Sequence, residues 1–199
     1  MVSGRPLLTE DTILYMLHKE LRAHSTLYFK IKHTITIERS WYYAFGPDVD
    51  LMEVRSHEEK IVGYEVKGET KRGWPARYKG LDEALAYLEL PYVMEGDKRK
   101  YFGGGLDQVY LVHGGEAVDV SWARVVSTTP VGLIVVGPEG KIKTVLEAKP
   151  NPYVSADTKM HLLRYHQILE RYSENSRTFR NIRDHGLRYL QWLEGKDST

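Results

Sequence analysis

Apolar positions recur at helical spacing over residues 9–24, where Ile13, Leu14, Leu17 and Leu21 form one face. Thr9 stands before them as an N-cap, and Glu10 and Asp11 put negative charge in the first turn, where the helix dipole favours it. From 27 to 38 the period falls to two. Leu27, Phe29, Ile31, His33, Ile35 and Ile37 alternate with Lys30, Lys32, Thr34 and Thr36, the pattern of a half-buried strand. Residues 40–47 are aromatic and end in Gly46-Pro47, which reads as a loop. Two apolar runs, 49–54 and 61–67, joined by a short polar link, predict an antiparallel hairpin.

A polar loop over 68–77 leads to a second predicted helix, 78–89, with Leu81, Ala84, Leu85 and Leu88 inward. Residues 91–105 read as a charged, glycine-rich loop closing on a hinge at Gly103-Gly104-Gly105, which lacks the spacing and the lysine of a P-loop. A strand at 107–113, a short helix near 118–126 and a hairpin of 131–136 with 141–147 follow. Pro150 and Pro152 mark a break, and 156–194 reads as two helices, the last carrying Phe179, Ile182, Leu190 and Leu193 on one stripe. The fold class expected is α/β, a mixed central sheet flanked by helices. Residues 1–150 are expected to form the α/β domain and 151–199 a helical extension packed on it.

The chain has 199 residues, ordinary proportions of apolar and charged residues, and no cysteine. That length can bury a core without staples, and the lack of thiols excludes disulfides, thiolate metal sites and a cysteine nucleophile. It fits a reducing compartment, so a cytoplasmic location is expected; many charges and no cysteine also suit a thermophile. The start has no secretory pattern and no stretch is long enough to span a bilayer, so no membrane partner is expected. A net charge of +1 makes no case for nucleic acid by itself, so any basic surface must be local.

The informative segment is GPDVDLMEVRSHEEKIVGYEVK, residues 46–67. Glu65 and Lys67 lie two apart on an otherwise apolar strand, so both point to one face, at a strand end rather than in the core. Antiparallel pairing sets the start of the preceding strand beside them and so brings Asp50 close. Two carboxylates in a partly dry site repel unless a cation lies between them, and a hard divalent ion is the natural occupant. Such an ion polarises a phosphodiester and acidifies a water, while Lys67 orients that water or offsets charge. The Val66 carbonyl is a further ligand candidate.

This segment resembles the PD-(D/E)xK, or restriction-endonuclease-like, superfamily, with Pro47-Asp48…Asp50 as the PD part and Glu65-Val66-Lys67 as ExK. The family's helix, three strands, helix, strand order matches residues 9–113. The resemblance implies a Mg²⁺- or Mn²⁺-dependent nuclease acting on DNA in repair, recombination or defence. Its metal would be held by Asp50, Glu65 and Val66, and a homodimer is compatible with it. Asp48, the literal PD residue, is the alternate first acid. The family often adds an acid from the first helix; Glu10 is favoured and Glu20 is the alternate. Tyr78 and Lys79 open the helix where substrate contacts are expected, and Glu83 stands where a glutamine is usual. A non-catalytic member of the same fold, binding nucleic acid or protein, is the alternative function.

Each of these residues has a plainer reading. Glu65 and Lys67 make a cross-strand surface salt bridge, Glu10 serves only the helix dipole, and Tyr78 only packs. The histidines show no metal-ligand spacing: His161 and His166 are five apart and there is no HExxH. Arg177, Arg180 and Arg188 belong to an arginine-rich C-terminal helix that either is simply solvated or tracks phosphates. Trp41, Tyr42 and Tyr43 either pack or stack on an unpaired base.

Overall fold

The structure, a computed structural model, describes residues 5–70 and 79–197. Helix α1 (Glu10–Leu21) begins where the capping signals put it: the Thr9 hydroxyl accepts from the Thr12 amide at 3.2 Å. Strands β1 (Thr26–Glu38), β2 (Trp41–Arg55) and β3 (Lys60–Lys67) follow, then α2 (Leu81–Tyr87) and the small strands β4 (Tyr92–Glu95) and β5 (Lys98–Arg99). Next come β6 (Gln108–Gly114), α3 (Val120–Ser127), β7 (Gly132–Val136), β8 (Ile142–Leu146), α4 (Ala156–Tyr165), a 3-10 turn and α5 (Arg177–Asp197).

The strands form one mixed sheet in the order β5-β4-β2-β3-β6-β7-β8, with β1 also paired to β2. The β3–β6 and β6–β7 pairs are parallel and the rest antiparallel. Both faces are covered, as parallel strands require. Ile13, Leu14 and Leu17 of α1 and Phe179, Ile182 and Tyr189 of α5 pack on one face against Val62, Tyr64 and Val66. Tyr87 of α2, Trp122 of α3 and Leu162 of α4 pack on the other. The chain beyond residue 150 therefore serves both layers, and the buried Asn151 amide stitches it in by donating to the carbonyls of Leu88 (2.7 Å) and Leu106 (2.8 Å).

The aromatic stretch expected as a loop is instead the first half of β2. Trp41–Ala44 pair with β4, a segment also expected to be loop. The turn-like Gly46-Pro47 signal is local, and a partner fifty residues away overrides it. The triplet 103–105 is likewise no hinge: a Cβ on Gly104 would meet the Leu88 and Glu89 backbone at 2.7 Å, and Gly104 bridges to Val154. Its glycine permits a close crossing of two chain segments.

The alternation expected for β1 also breaks. Phe29 faces the α1/α5 layer, but Ile31 faces the α2 layer, and His33 is exposed. Lys30 and His33 adopt positive φ (49° and 64°), which marks a bulge where the strand changes face. The paired strand does the same, with Val49 facing the α2 layer and Leu51 the α1/α5 layer.

Candidate active site

One edge of β2 pairs with β4 over Trp41–Ala44 and with β3 over Leu51–Arg55. Residues 45–50 lie between the two ladders, at a fork in the sheet, and Pro47, which has no amide to donate, suits that place. Past the last β2–β3 pair, Leu51 with Tyr64, the backbone of β2 no longer serves β3. The Asp50 side chain does so instead, its Oδ2 accepting from the Val66 amide at 2.9 Å. A residue's N–H and C=O point to the same side of a strand, so the Val66 carbonyl faces this fork too.

Glu65 and Lys67 point to the α2 layer. Glu65 is almost fully buried, 1% exposed, and the Lys67 ammonium presses against its Oε1. Lys67 also pairs with Glu83 at 2.8 Å. Glu65 does lie near the end of β3, but the expectation that this keeps it out of the core is corrected: Tyr87, one turn after Glu83 on α2, covers it. The Tyr87 hydroxyl lies 2.5 Å from Glu65 Oε2, 2.5 Å from the Asp48 carbonyl, and 3.1 Å from the Asp50 amide, which donates to it. A phenol has one proton and cannot donate to both oxygens. It donates to either the Glu65 carboxyl or the Asp48 carbonyl, while its oxygen accepts from the Asp50 amide.

Burial, then the hydrogen-bonded Glu83 carboxylate and the charge of Asp50, push the Glu65 carboxyl up to about 9, against the opposing pull of Lys67 and Tyr87. Burial also lifts Asp50 to about 6; the Val66 amide opposes this, and Glu10 reinforces it. For Lys67, burial works against the charge, but Glu65 and Glu83 together hold it protonated well above the usual lysine range.

A cleft of about 800 Å³ opens above this cluster between the N-termini of α1 and α2, lined by Glu10, Asp11, Lys30, Lys67, Lys79 and Glu83 among others. The β1 bulge delivers Lys30 into it, where its ammonium meets Asp11 at 2.5 Å and acts on Asp50. Neither Lys30 nor Tyr87 was expected. The bulge has no sequence signature, but Glu83 and Tyr87 at i and i+4 share a helix face, a signal that could have found Tyr87. His113, paired in register with Lys67, has its Nε2 at 3.2 Å from the Lys79 carbonyl; burial lowers its pKa.

The structure thus brings Asp50, Glu65, Val66 and Lys67 together, with Glu10 and Lys79 on the cleft. Asp48 is half-exposed, 3.5 Å from Lys32, and enters the cluster through its carbonyl. Glu20 is corrected as an alternate acid: it is exposed at the far end of α1, beside Arg55 and Lys60. Arg177, Arg180 and Arg188 are exposed on α5; none of them lines the cleft, although His185 of that helix does. Tyr78 lies outside the described residues. Among the described residues no group of three or more His, Asp or Glu side chains stands ready as a metal cage. No described helix is long and apolar enough to cross a membrane. No protein-family model, curated protein or solved structure matches this chain.

Proposed function

We propose that the chain is a nuclease that hydrolyses phosphodiester bonds of DNA with the help of Mg²⁺ or Mn²⁺. The observation that carries this reading is the sheet fork, which leaves two carboxylates, Asp50 and Glu65, as neighbours under one tyrosine hydroxyl, with Lys67 paired to Glu65 and lining the adjoining open cleft. Glu65 Oε1 is buried with no regular hydrogen bond beside its ion pair to Lys67, and burial next to Glu83 and Asp50 raises its pKa, a strain that a second cation would relieve. Carboxylate oxygens with a backbone carbonyl are a donor set suited to a hard ion, so the residues fit one. Asp50, Glu65 and the Val66 carbonyl would hold it. When bound, the ion supplies Lewis acidity toward a phosphodiester and toward water.

The chain's own groups do the rest. Tyr87 fixes the Glu65 carboxyl and the Asp50 backbone through one oxygen, so the two acids keep their spacing. Lys67, freed from Glu65, places an ammonium at the cleft floor to orient a water or offset charge on the phosphate. Lys30 and Lys79 line the walls, where they can receive flanking phosphates.

The test is cleavage of a panel of single- and double-stranded DNA and RNA with Mg²⁺, with Mn²⁺ and with chelator, beside Asp50→Asn, Glu65→Gln and Lys67→Ala. Cutting that needs the ion and falls at least ~100-fold in each variant, with melting temperature retained, is the expected result. Activity unchanged in Glu65→Gln removes the mechanism. Nucleic-acid binding without cutting in the unaltered protein selects the non-catalytic alternative.

A further inference from the structure

The exposed face of α5 carries charge that the fold does not use. Between residues 177 and 193 the helix has four arginines and one acid, Asp184, which lies 3.6 Å from Arg183. Arg177, Arg180 and Arg188 are exposed, and among the described residues no carboxylate pairs with them. Arg188 donates only to the Asp184 carbonyl of its own helix, at 3.1 Å. Arg177 opens the helix at the positive end of the dipole, where a cation costs stability, and no acid stands in that turn. The Ser176 hydroxyl, accepting from the Phe179 amide at 3.0 Å, caps that end instead. The face is also fixed, and it leads to the cleft. Gly186 lies so close to the Tyr15 ring of α1 that a Cβ would meet it at 2.1 Å, and the Tyr189 hydroxyl donates to the Pro138 carbonyl at 2.8 Å. That docking sets His185 on the cleft with Glu10, Asp11 and Lys30. Arg188 is one turn beyond His185, and Arg177, about three turns before Arg188, projects from the same side by the helical period.

We infer that this face of α5 is a phosphate track that receives the backbone of a DNA duplex running into the cleft. Arg177 to Arg188 spans about 16 Å at the rise of an α-helix, the length of roughly five base pairs. A guanidinium takes a phosphate through two parallel hydrogen bonds, and a docked helix holds its guanidinium groups at set spacing. A duplex holds its phosphates just as rigidly, so it loses little freedom on docking, whereas a single strand must first be ordered. Asp50, Glu65 and Lys67 all come from the sheet, so the chemistry and the grip on the substrate fall to different parts of the chain. The inference deepens the nuclease reading, on which it rests for the nature of the anion.

The experiment is fluorescence anisotropy of a labelled blunt duplex and of a single strand of equal length, in chelator to prevent turnover, across a salt series. The duplex should bind more tightly. Arg177→Ala combined with Arg188→Ala should weaken it roughly tenfold at low salt and lower the salt slope by about two, one for each lost phosphate. Lysine at both positions should keep most of the affinity, because the charge remains. Both side chains are exposed, so the melting temperature should hold. Arg164→Ala, which removes an exposed arginine of α4 on the opposite layer, should leave binding unchanged. Cleavage by the double alanine variant should fall at low substrate and recover at saturation, since the lost contacts hold ground state and transition state alike. Equal or tighter binding of the single strand, an unchanged slope in the double variant, or an equal loss in Arg164→Ala overturns the inference, as does no binding of either nucleic acid. Duplex binding that depends on α5, without any cutting, supports it and overturns the nuclease reading alone. Cutting indifferent to both arginines overturns it and leaves the acidic site intact.

Discussion

If Glu65 keeps its proton in the folded protein, stability must depend on pH in a defined direction. A carboxyl near its ordinary value in the unfolded chain and near 9 in the native state makes the folded protein bind one extra proton between those limits. A raised carboxyl pKa gives stability that is complete below the unfolded value and is lost as pH rises through the native one. The slope for one proton is about 1.4 kcal/mol per pH unit, or roughly 3 kcal/mol between pH 6.5 and 8.5. In a chain of this length that moves the melting temperature by about 6–12 °C. Asp50, raised to about 6, contributes with the same sign but mostly below pH 6, so the higher window isolates Glu65. The measurement is urea unfolding in chelator at half-unit steps of pH, for the unaltered chain and for Glu65→Gln. Glutamine keeps the shape and the neutral state and does not titrate. The difference between the two curves should fall by that slope. Parallel curves would mean that Glu65 is ionised and held by Lys67, and the reasoning from its burial would fail.

Two further substitutions probe the frame. Tyr87→Phe removes an oxygen that meets the Asp50 amide, the Asp48 carbonyl and Glu65; stability should fall by about 1–3 kcal/mol, and cleavage should fall with it, measured by denaturant unfolding and by the nuclease assay. Gly186→Ala puts a methyl 2.1 Å from the Tyr15 ring where α5 crosses α1, so a loss of about 1–3 kcal/mol or more is expected by thermal melting, with the acidic site unchanged.

Much of the site was legible because strand geometry is regular. Glu65 and Lys67 share a face by the period of two, and a hairpin through the 55–60 link places Asp50 opposite Glu65 without further information. What was not legible depends on distant partners or on local irregularity. Gly46-Pro47 looks like the end of an element, yet β4 extends β2 on the near side of it. Lys30 reads as a solvent-facing strand residue until a bulge turns it into the cleft. Burial of Glu65 comes from α2, whose packing no pattern within 61–67 reveals, and Glu20 stayed an alternate to the favoured Glu10 because a sequence does not show which end of a helix meets the fork.

The fork also explains how one acid can serve structure and chemistry together. Asp50 Oδ2 replaces a backbone acceptor for Val66, and without it a central strand would carry an unsatisfied amide. A carboxylate has two oxygens and about four acceptor positions, so the remaining positions can face a cation at no cost to the sheet. The face switch at Lys30 and at Val49–Leu51 follows from the same break: strands that stay in register and alternate strictly cannot open a gap for a side chain, whereas a bulge paired with a divergence can. Asparagine at position 50 preserves the acceptor for Val66 and removes the charge. Alanine removes both, so lost activity in a folded Asp50→Asn protein assigns the charge to chemistry, whereas instability confined to Asp50→Ala assigns the acceptor to the fold.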